Sequence, residues 1–381
     1  MIKDKVVNEL VQMSLNDYPV TSAYFSAINK SGKRKVHLIE FKKMIRYKKN
    51  TTYFKQLSES EQESVLTDFE KILYWLEEEL DTSTYMSSIC FSSGKSGFWK
   101  TIDLKIPLTN ELIVQPKPYI YQLTKLFSSY SRYGVVLVDK SKARIFEQSL
   151  GNFKELFHVD DNSPDTVKVG GFKGRQERKV ERNIRQGVMQ HYKEVARKLF
   201  DLNKSRDFNW IVLGGRKESI GEFRKILHDY VDTKVAGVLE LEPSATLSEV
   251  FEKVHKVGKN ARLEFEKKLL ETYNNKKEAN QAIEGIKAIL PKIRGNWIDT
   301  LILHKDYQQK GVFCRRCNYI DLSPAFECPD HGGPLERTHN IVEHILHNIL
   351  QQGANIQYVG LSMKKYGEIA AILRFPIIGR P

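Results

Sequence analysis

The chain has 381 residues, 41% of them hydrophobic and 28% charged, with a formal net charge of +13. Such a length is too great for one ordinary core, and the composition is that of a globular protein, so two or three domains are expected. No apolar run approaches the roughly 18 residues of a membrane span, and MIKDKVVNELVQMSLNDYP lacks the apolar stretch of a secretory signal, so the expectation is a cytosolic (cytoplasmic) protein without a membrane partner.

In chain order, PVTSAYFSAI (19–28) alternates like a strand, and MSSICFSS (86–93) with FWKTIDLKIPL (98–108) reads as a hairpin around Gly94–Gly97. Between them lies a helix. Its Ser58 and Glu61 have capping-box spacing, and Val65, Phe69, Ile72 and Leu76 form its buried stripe. The two prolines of QPKPYIYQL close an α+β first domain, 1–128.

YGVVLVDKSKARIFEQ predicts two strands joined at Asp139–Lys142, followed after a loop by a long helix with Val180, Ile184, Val188, Val195 and Leu199 on one face. NWIVLGG (209–215) reads as a buried strand, GEFRKILHDYV as a helix, VAGVLELEP as a strand and LSEVFEKVHKV as a helix. The alternation predicts a mixed sheet covered by helices over 129–257. The last domain, 258–381, starts at Gly258 with two helices, RLEFEKKLLETY and EANQAIEGIKAIL, then the strand WIDTLILH. A helix with Ile341, Ile345 and Ile349 on one face stops at Gly353, and a strand and the apolar strand IAAILRF follow.

Three of the four cysteines lie within fifteen residues. Cys314, Cys317, Cys328 and His331 are spaced C-x2-C-x10-C-x2-H, two knuckle-like pairs that suit tetrahedral zinc. Four protein ligands would close the shell, so such a metal is structural. The competing reading is three buried cysteines and a surface histidine. Cys90 reads as core, and His339, His344 and His347 as surface or packing residues.

Basic residues cluster twice. Lys30 to Lys49 holds nine against the single acid Glu40, and Lys168 to Arg185 holds seven against Glu177 and Glu181. Two such patches suggest an extended polyanion touched at two places, though solvated surface segments would look the same. The second patch follows Gly170 and Gly171 directly, joining a permissive backbone to dense positive charge. Familiar catalytic signals are missing: no Walker A, no G-x-S-x-G and no H-E-x-x-H. LGGRKES (213–219) reads as a strand-to-helix turn, with a phosphate contact as the alternative. Asp160, Asp161 and Asp165 sit in a turn-rich DDNSPD segment that shapes a loop more readily than it binds a metal.

The order of parts resembles the archaeo-eukaryotic peptide chain release factors and their Pelota-like ribosome-rescue relatives, including the bacterial branch with its hibernation factors. The residues that carry the resemblance are a Gly-Gly loop, a basic stretch and a long helix with QHYKEVA, then ILPKIRGNWIDTLIL, the cysteine insertion, IVEHILHNILQQGANIQYVG and GEIAAILRF, preceded by YPVTSAYFSA. The resemblance implies a multidomain α+β and α/β fold of three domains. The central one would be a mixed sheet flanked by helices (ribonuclease H-like). The last would be an α/β/α sandwich with a zinc-ribbon-like insertion at 312–335. It further implies a monomer in the ribosomal A site, bound to ribosomal RNA, with a translational GTPase such as elongation factor Tu as partner. Release-active members carry Gly-Gly-Gln, whose glutamine helps position a water against the peptidyl ester. Here the triplet is Gly170-Gly171-Phe172, and Gln176 is the remaining alternative for hydrolysis. The candidate RNA contacts are Lys33, Arg34, Lys35, Lys42 and Lys43, and Gly170, Gly171, Phe172, Lys173, Arg175, Arg178, Lys179, Arg182 and Arg185.

Overall fold

The computed structural model describes residues 5–13, 18–26, 36–80, 84–160, 175–323 and 327–377. They form a multidomain α+β protein whose helices pack on four separate sheets. Packing divides the chain into two compact units, Met1–Ser129 with Lys268–Pro381, and Tyr130–Lys267. No helix among the described residues is long and apolar enough to cross a membrane.

The first segment holds α1 (Lys5–Gln12), β1 (Val20–Ser26), α2 (Val36–Lys49), α3 (Thr52–Gln56), α4 (Glu59–Tyr74), β2 (Ser87–Ser93), β3 (Phe98–Leu104), β4 (Glu111–Gln115) and α5 (Tyr121–Ser129). Its strands form an antiparallel sheet in the order β3-β2-β1-β4. The expected hairpin is present, and Gly97 turns it with a φ of +66°. The capping box is present too: Ser58 N–H donates to Glu61 Oε2 at 2.8 Å and Glu61 N–H to Ser58 Oγ at 3.3 Å. Val65, Phe69, Ile72 and Leu76 are buried with Phe41 and Ile45 of α2 against Ala23, Phe25 and Cys90 of the sheet. Beneath α4 lies a buried carboxylate, Asp68, which accepts from Thr21 Oγ1 at 2.8 Å and Ser92 Oγ at 2.6 Å. Burial pushes its pKa up to about 6, against the lowering effect of these donors.

The middle unit holds β5 (Tyr133–Val138), β6 (Lys142–Ser149), β7 (Asn152–Asp160), α6 (Arg175–Arg206), β8 (Trp210–Gly214), α7 (Lys217–Arg224), α8 (Asp229–Asp232), β9 (Val235–Leu239) and most of α9 (Leu247–Glu278). The sheet runs β7-β6-β5-β8-β9, antiparallel on one side of β5 and parallel on the other. Tyr192, Val195 and Leu199 of α6, with Phe223 of α7, cover one face. Val250 and Val254 of α9 cover the other. Gly214 and Gly215 allow close packing: a Cβ on either would lie 2.4 Å from Leu137 Cδ2 or from Val138 O. GEFRKILHDYV breaks into two helices, and His228 Nδ1 caps the second by accepting from Tyr230 N–H at 3.1 Å.

Two expectations fail here. LSEVFEKVHKV and RLEFEKKLLETY, expected as separate helices on either side of Gly258, are one, because α9 runs through the glycine without a break. The glycine is there because a Cβ would come within 2.7 Å of the Tyr133 ring, whose hydroxyl donates to Gly258 O at 3.1 Å. The stripe on α6 is also shorter than its periodicity suggests. Val195 and Leu199 are buried and Val188 half-buried, but Ile184 is 44% exposed.

The last segment adds β10 (Ala282–Glu284), α10 (Ile286–Arg294), β11 (Ile298–His304), the short strands β12 (Gly311–Phe313), β13 (Ile320–Asp321) and β14 (Glu336–Thr338), α11 (Val342–Gln351), β15 (Asn355–Val359) and β16 (Ile369–Leu373). Its main sheet is β10-β16-β11-β15, with only β11–β15 parallel. EANQAIEGIKAIL is therefore not one helix. Ala282–Glu284 pairs with Ala370–Ile372, and Gly285 turns at a φ of +77° before α10 begins.

The two segments of this unit are joined by one buried carboxylate. Glu343 of α11 accepts from the N–H groups of Ile120 and Tyr121, at 2.8 and 2.7 Å, and so caps α5. Beside it, His347 Nε2 donates to Pro118 O at 2.8 Å. QPKPYIYQL is thus stitched into a core. His344 stacks on Phe313 at 3.8 Å, and burial lowers its pKa to about 3. His344 and His347 are packing residues, as their spacing suggests.

Glu343→Ala is expected to cost about 2–4 kcal/mol, because two buried N–H groups lose a charged acceptor. Urea unfolding followed by circular dichroism measures it, and an unchanged midpoint contradicts it. Asp68 titrates higher folded than its ordinary 3.8, so its contribution is complete below that value and is lost as pH rises through about 6. The melting temperature of Asp68→Asn relative to the wild type should therefore climb between pH 5 and pH 7. A difference that does not vary with pH contradicts this.

Candidate metal centre and nucleic-acid interface

Cys314, Cys317, Cys328 and His331 are brought together. Their ligand atoms all lie within 4.8 Å of one another, with Cys314 Sγ 3.1 Å from His331 Nε2 and Cys317 Sγ 3.4 Å from Cys328 Sγ. A tetrahedron with metal–sulfur bonds of about 2.3 Å has edges of about 3.8 Å. The donor set and its dimensions therefore fit one metal ion.

The local backbone explains why these residues converge. Cys314 N–H donates to Tyr319 O at 2.8 Å while Asn318 N–H donates back to Cys314 O at 3.0 Å. Cys328 N–H donates to Gly333 O at 2.7 Å while Gly332 N–H donates back to Cys328 O at 2.9 Å. The two loops are the same knuckle made twice. Each turns through a residue of positive φ, Asn318 at +56° and Gly332 at +68°. Backbone N–H groups of Cys317 and Arg316 point at the Cys314 sulfur and, against the opposing effect of burial, bring its pKa down to about 7, which favours the thiolate a metal needs.

The knuckles are tied to the rest of their unit by two arginines. Arg294 of α10 pairs with Asp330, Nη1 to Oδ1 at 3.0 Å, and lies over the Tyr319 ring at 4.7 Å. Arg315, inside the first knuckle, pairs with Glu336 at 2.6 Å, approaches Glu61 at 3.7 Å and lies over the Tyr53 ring at 5.0 Å. The cysteine loops thereby reach α3 and α4. Arg315 was not legible as a functional residue, because Glu61 and Tyr53 are more than 200 positions away.

The basic segments fare unevenly. Lys33, Arg34, Lys35, Gly170, Gly171, Phe172 and Lys173 lie outside the described residues. Lys42 is exposed but paired with Glu77 at 2.9 Å, and Lys43 is exposed. Arg175, Gln176, Arg178 and Lys179 fall in the first turns of α6. Residues 181–187 of that helix, with Arg182 and Arg185, are exposed on every side. These turns extend from a segment anchored by Tyr192, Val195 and Leu199, and helix propagation from an anchored turn costs little. Asp160 pairs with Lys142 at 2.9 Å, whereas Asp161 and Asp165 are not described.

Residues 118–259 match the family model described as Bacterial archaeo-eukaryotic release factor family 10. Peptide chain release factor subunit 1 of Methanocaldococcus jannaschii is 23% identical over 295 residues, covering 68% of this chain and 69% of that protein. The same factor of Pyrococcus abyssi is 22% identical over 276 residues, covering 64% and 66%. Over residues 118–259 the chain is similar to the archaeo-eukaryotic release factors. Among solved structures, archaeal Pelota from a ribosome-bound model is 14% identical with a TM-score of 0.44, covering 76% of this chain and 78% of that one. The matched region takes in the whole five-stranded sheet, α6 and the Gly170-Gly171-Phe172 triplet of the sequence.

Purified protein is expected to carry about one metal ion per chain by plasma mass spectrometry. Cys314→Ser or Cys328→Ser should lose it and lower the melting temperature of the protein. A metal-free wild type purified without chelator contradicts the site.

Proposed function

We propose that this protein is a ribosome-binding factor that enters the A site as a release factor would, but plugs it without releasing the peptide, in hibernation or in recognition of stalled ribosomes. One observation carries the reading: Phe172 follows Gly170-Gly171 where hydrolysing members of the family carry glutamine. A phenyl ring presents no carboxamide to a water or an ester. It can stack on an RNA base, a contact of about 1–3 kcal/mol. The net charge of +13 and the bare basic turns of α6 supply sequence-independent attraction to phosphates.

The alternative, peptidyl-tRNA or tRNA cleavage through Gln176, is less favoured, because Gln176 sits in the helical backbone of α6. Its use would require the first turn to unwind. The four-ligand centre suits zinc, since three thiolates and one imidazole in a tetrahedron are its usual structural set, and a closed shell leaves no position for substrate. The last segment would face a translational GTPase, in bacteria elongation factor Tu, and the factor would act as a monomer in the cytoplasm.

Sedimentation through sucrose tests the binding. The wild type should travel with purified ribosomes, and Arg182→Glu with Arg185→Glu should weaken that at least tenfold. On ribosomes loaded with peptidyl-tRNA the wild type should free no peptide, whereas Phe172→Gln gains release if the rest of the loop is intact. Peptide released by the wild type overturns the reading.

A further inference from the structure

The two knuckles do not expose their sulfurs equally. Cys314 and Cys328 are buried, 1% and 2% exposed, whereas Cys317 is open to solvent. Its Sγ lies 3.4 Å from Cys328 Sγ, closer than the edge of about 3.8 Å in a tetrahedral metal–sulfur site. A disulfide bond is about 2.05 Å long, so the two sulfurs need to close by about 1.4 Å.

Each of the two sulfurs stands on a different knuckle, and each knuckle is tied to a different element. Arg315 carries the first to Tyr53 of α3 and Glu61 of α4. Asp330 carries the second to Arg294 of α10. A covalent bond between Cys317 and Cys328 therefore joins the same parts that one shared ion would join.

We propose that Cys317 and Cys328 are an oxidation site for hydrogen peroxide, at which a disulfide replaces the metal as the tie between the knuckles. A metal holds its cysteine ligands as thiolates. Of the three cysteines in the cluster, Cys317 is the one a peroxide can reach. The Cys317 thiolate attacks one peroxide oxygen, the O–O bond breaks, and a sulfenic acid and a hydroxide result. The Cys328 thiolate then attacks that sulfur and expels a second hydroxide as the S–S bond forms. Two electrons have passed from the thiolates to the peroxide, and both hydroxides take protons from solvent. Cys314 and His331, 3.1 Å apart, are the ligands left, too few to retain the ion. The inference is independent of the ribosome-binding reading, because it concerns how the first and last segments stay joined under oxidising conditions.

The test uses the full chain loaded with zinc and treated with excess hydrogen peroxide. A chromogenic chelator should register loss of the whole metal load. The intact mass should fall by two hydrogens, and non-reducing peptide mapping should link Cys317 to Cys328. Dithiothreitol with fresh zinc should restore the starting form. The oxidised metal-free chain should melt at least about 4 °C above the reduced metal-free chain, because the new bond constrains the unfolded state. Cys317→Ser should lose that gap. Zinc that stays bound through the treatment overturns the site, as does a chain that never takes up zinc. So does a link between Cys314 and Cys317 instead, or Cys317 oxidised to a sulfinic acid without a disulfide. Equal melting of the two metal-free forms, or a gap as large in Cys317→Ser, overturns it too. In each of these cases sedimentation with ribosomes can still succeed, so the two readings fail separately.

Discussion

The middle unit depends on how α6 is anchored. Its second half buries Tyr192, Val195 and Leu199 completely against the sheet, and each such side chain contributes about 1.5–3 kcal/mol of burial. That grip lets the first turns persist as helix although residues 181–187 are exposed. An unanchored helix of that composition would be marginal in water, with its cations repelling one another. The fold therefore holds a rod of positive charge away from its own surface. On the proposed reading the ligand is a folded RNA, and such an arrangement lets its phosphates be reached without the whole domain having to follow.

In the other unit, the two ends of the chain share one core, and charged side chains join them. Glu343 caps α5 from the last segment, and Arg315 reaches from a metal knuckle to Glu61 and the Tyr53 ring. A buried carboxylate is tolerated here because two backbone donors and a side chain satisfy it. The cysteine loops, a pair of hydrogen-bonded turns, thus position Arg315.

What the sequence made legible was local. The capping box, the Gly94–Gly97 hairpin, the Cys-x2-Cys and Cys-x2-His knuckles and the strands around YGVVLV each depend on residues a few positions apart. What it hid was set from far away. Gly258 resembles a boundary until Tyr133 is seen against it, and Ala282–Glu284 is a strand only because the end of the chain pairs with it. The periodicity of α6 gave the apolar face correctly but not how far the partner sheet extends, which leaves Ile184 outside.

The central claim is that a release-factor framework here carries a plug in place of a hydrolytic tip. A density map of the full chain on purified ribosomes addresses it most directly. The account predicts the protein in the A site, with residues 167–187 against ribosomal RNA on the peptidyl-transferase side and the Phe172 ring against a base. Density on the ribosome exterior, or that segment turned away from RNA, would contradict it.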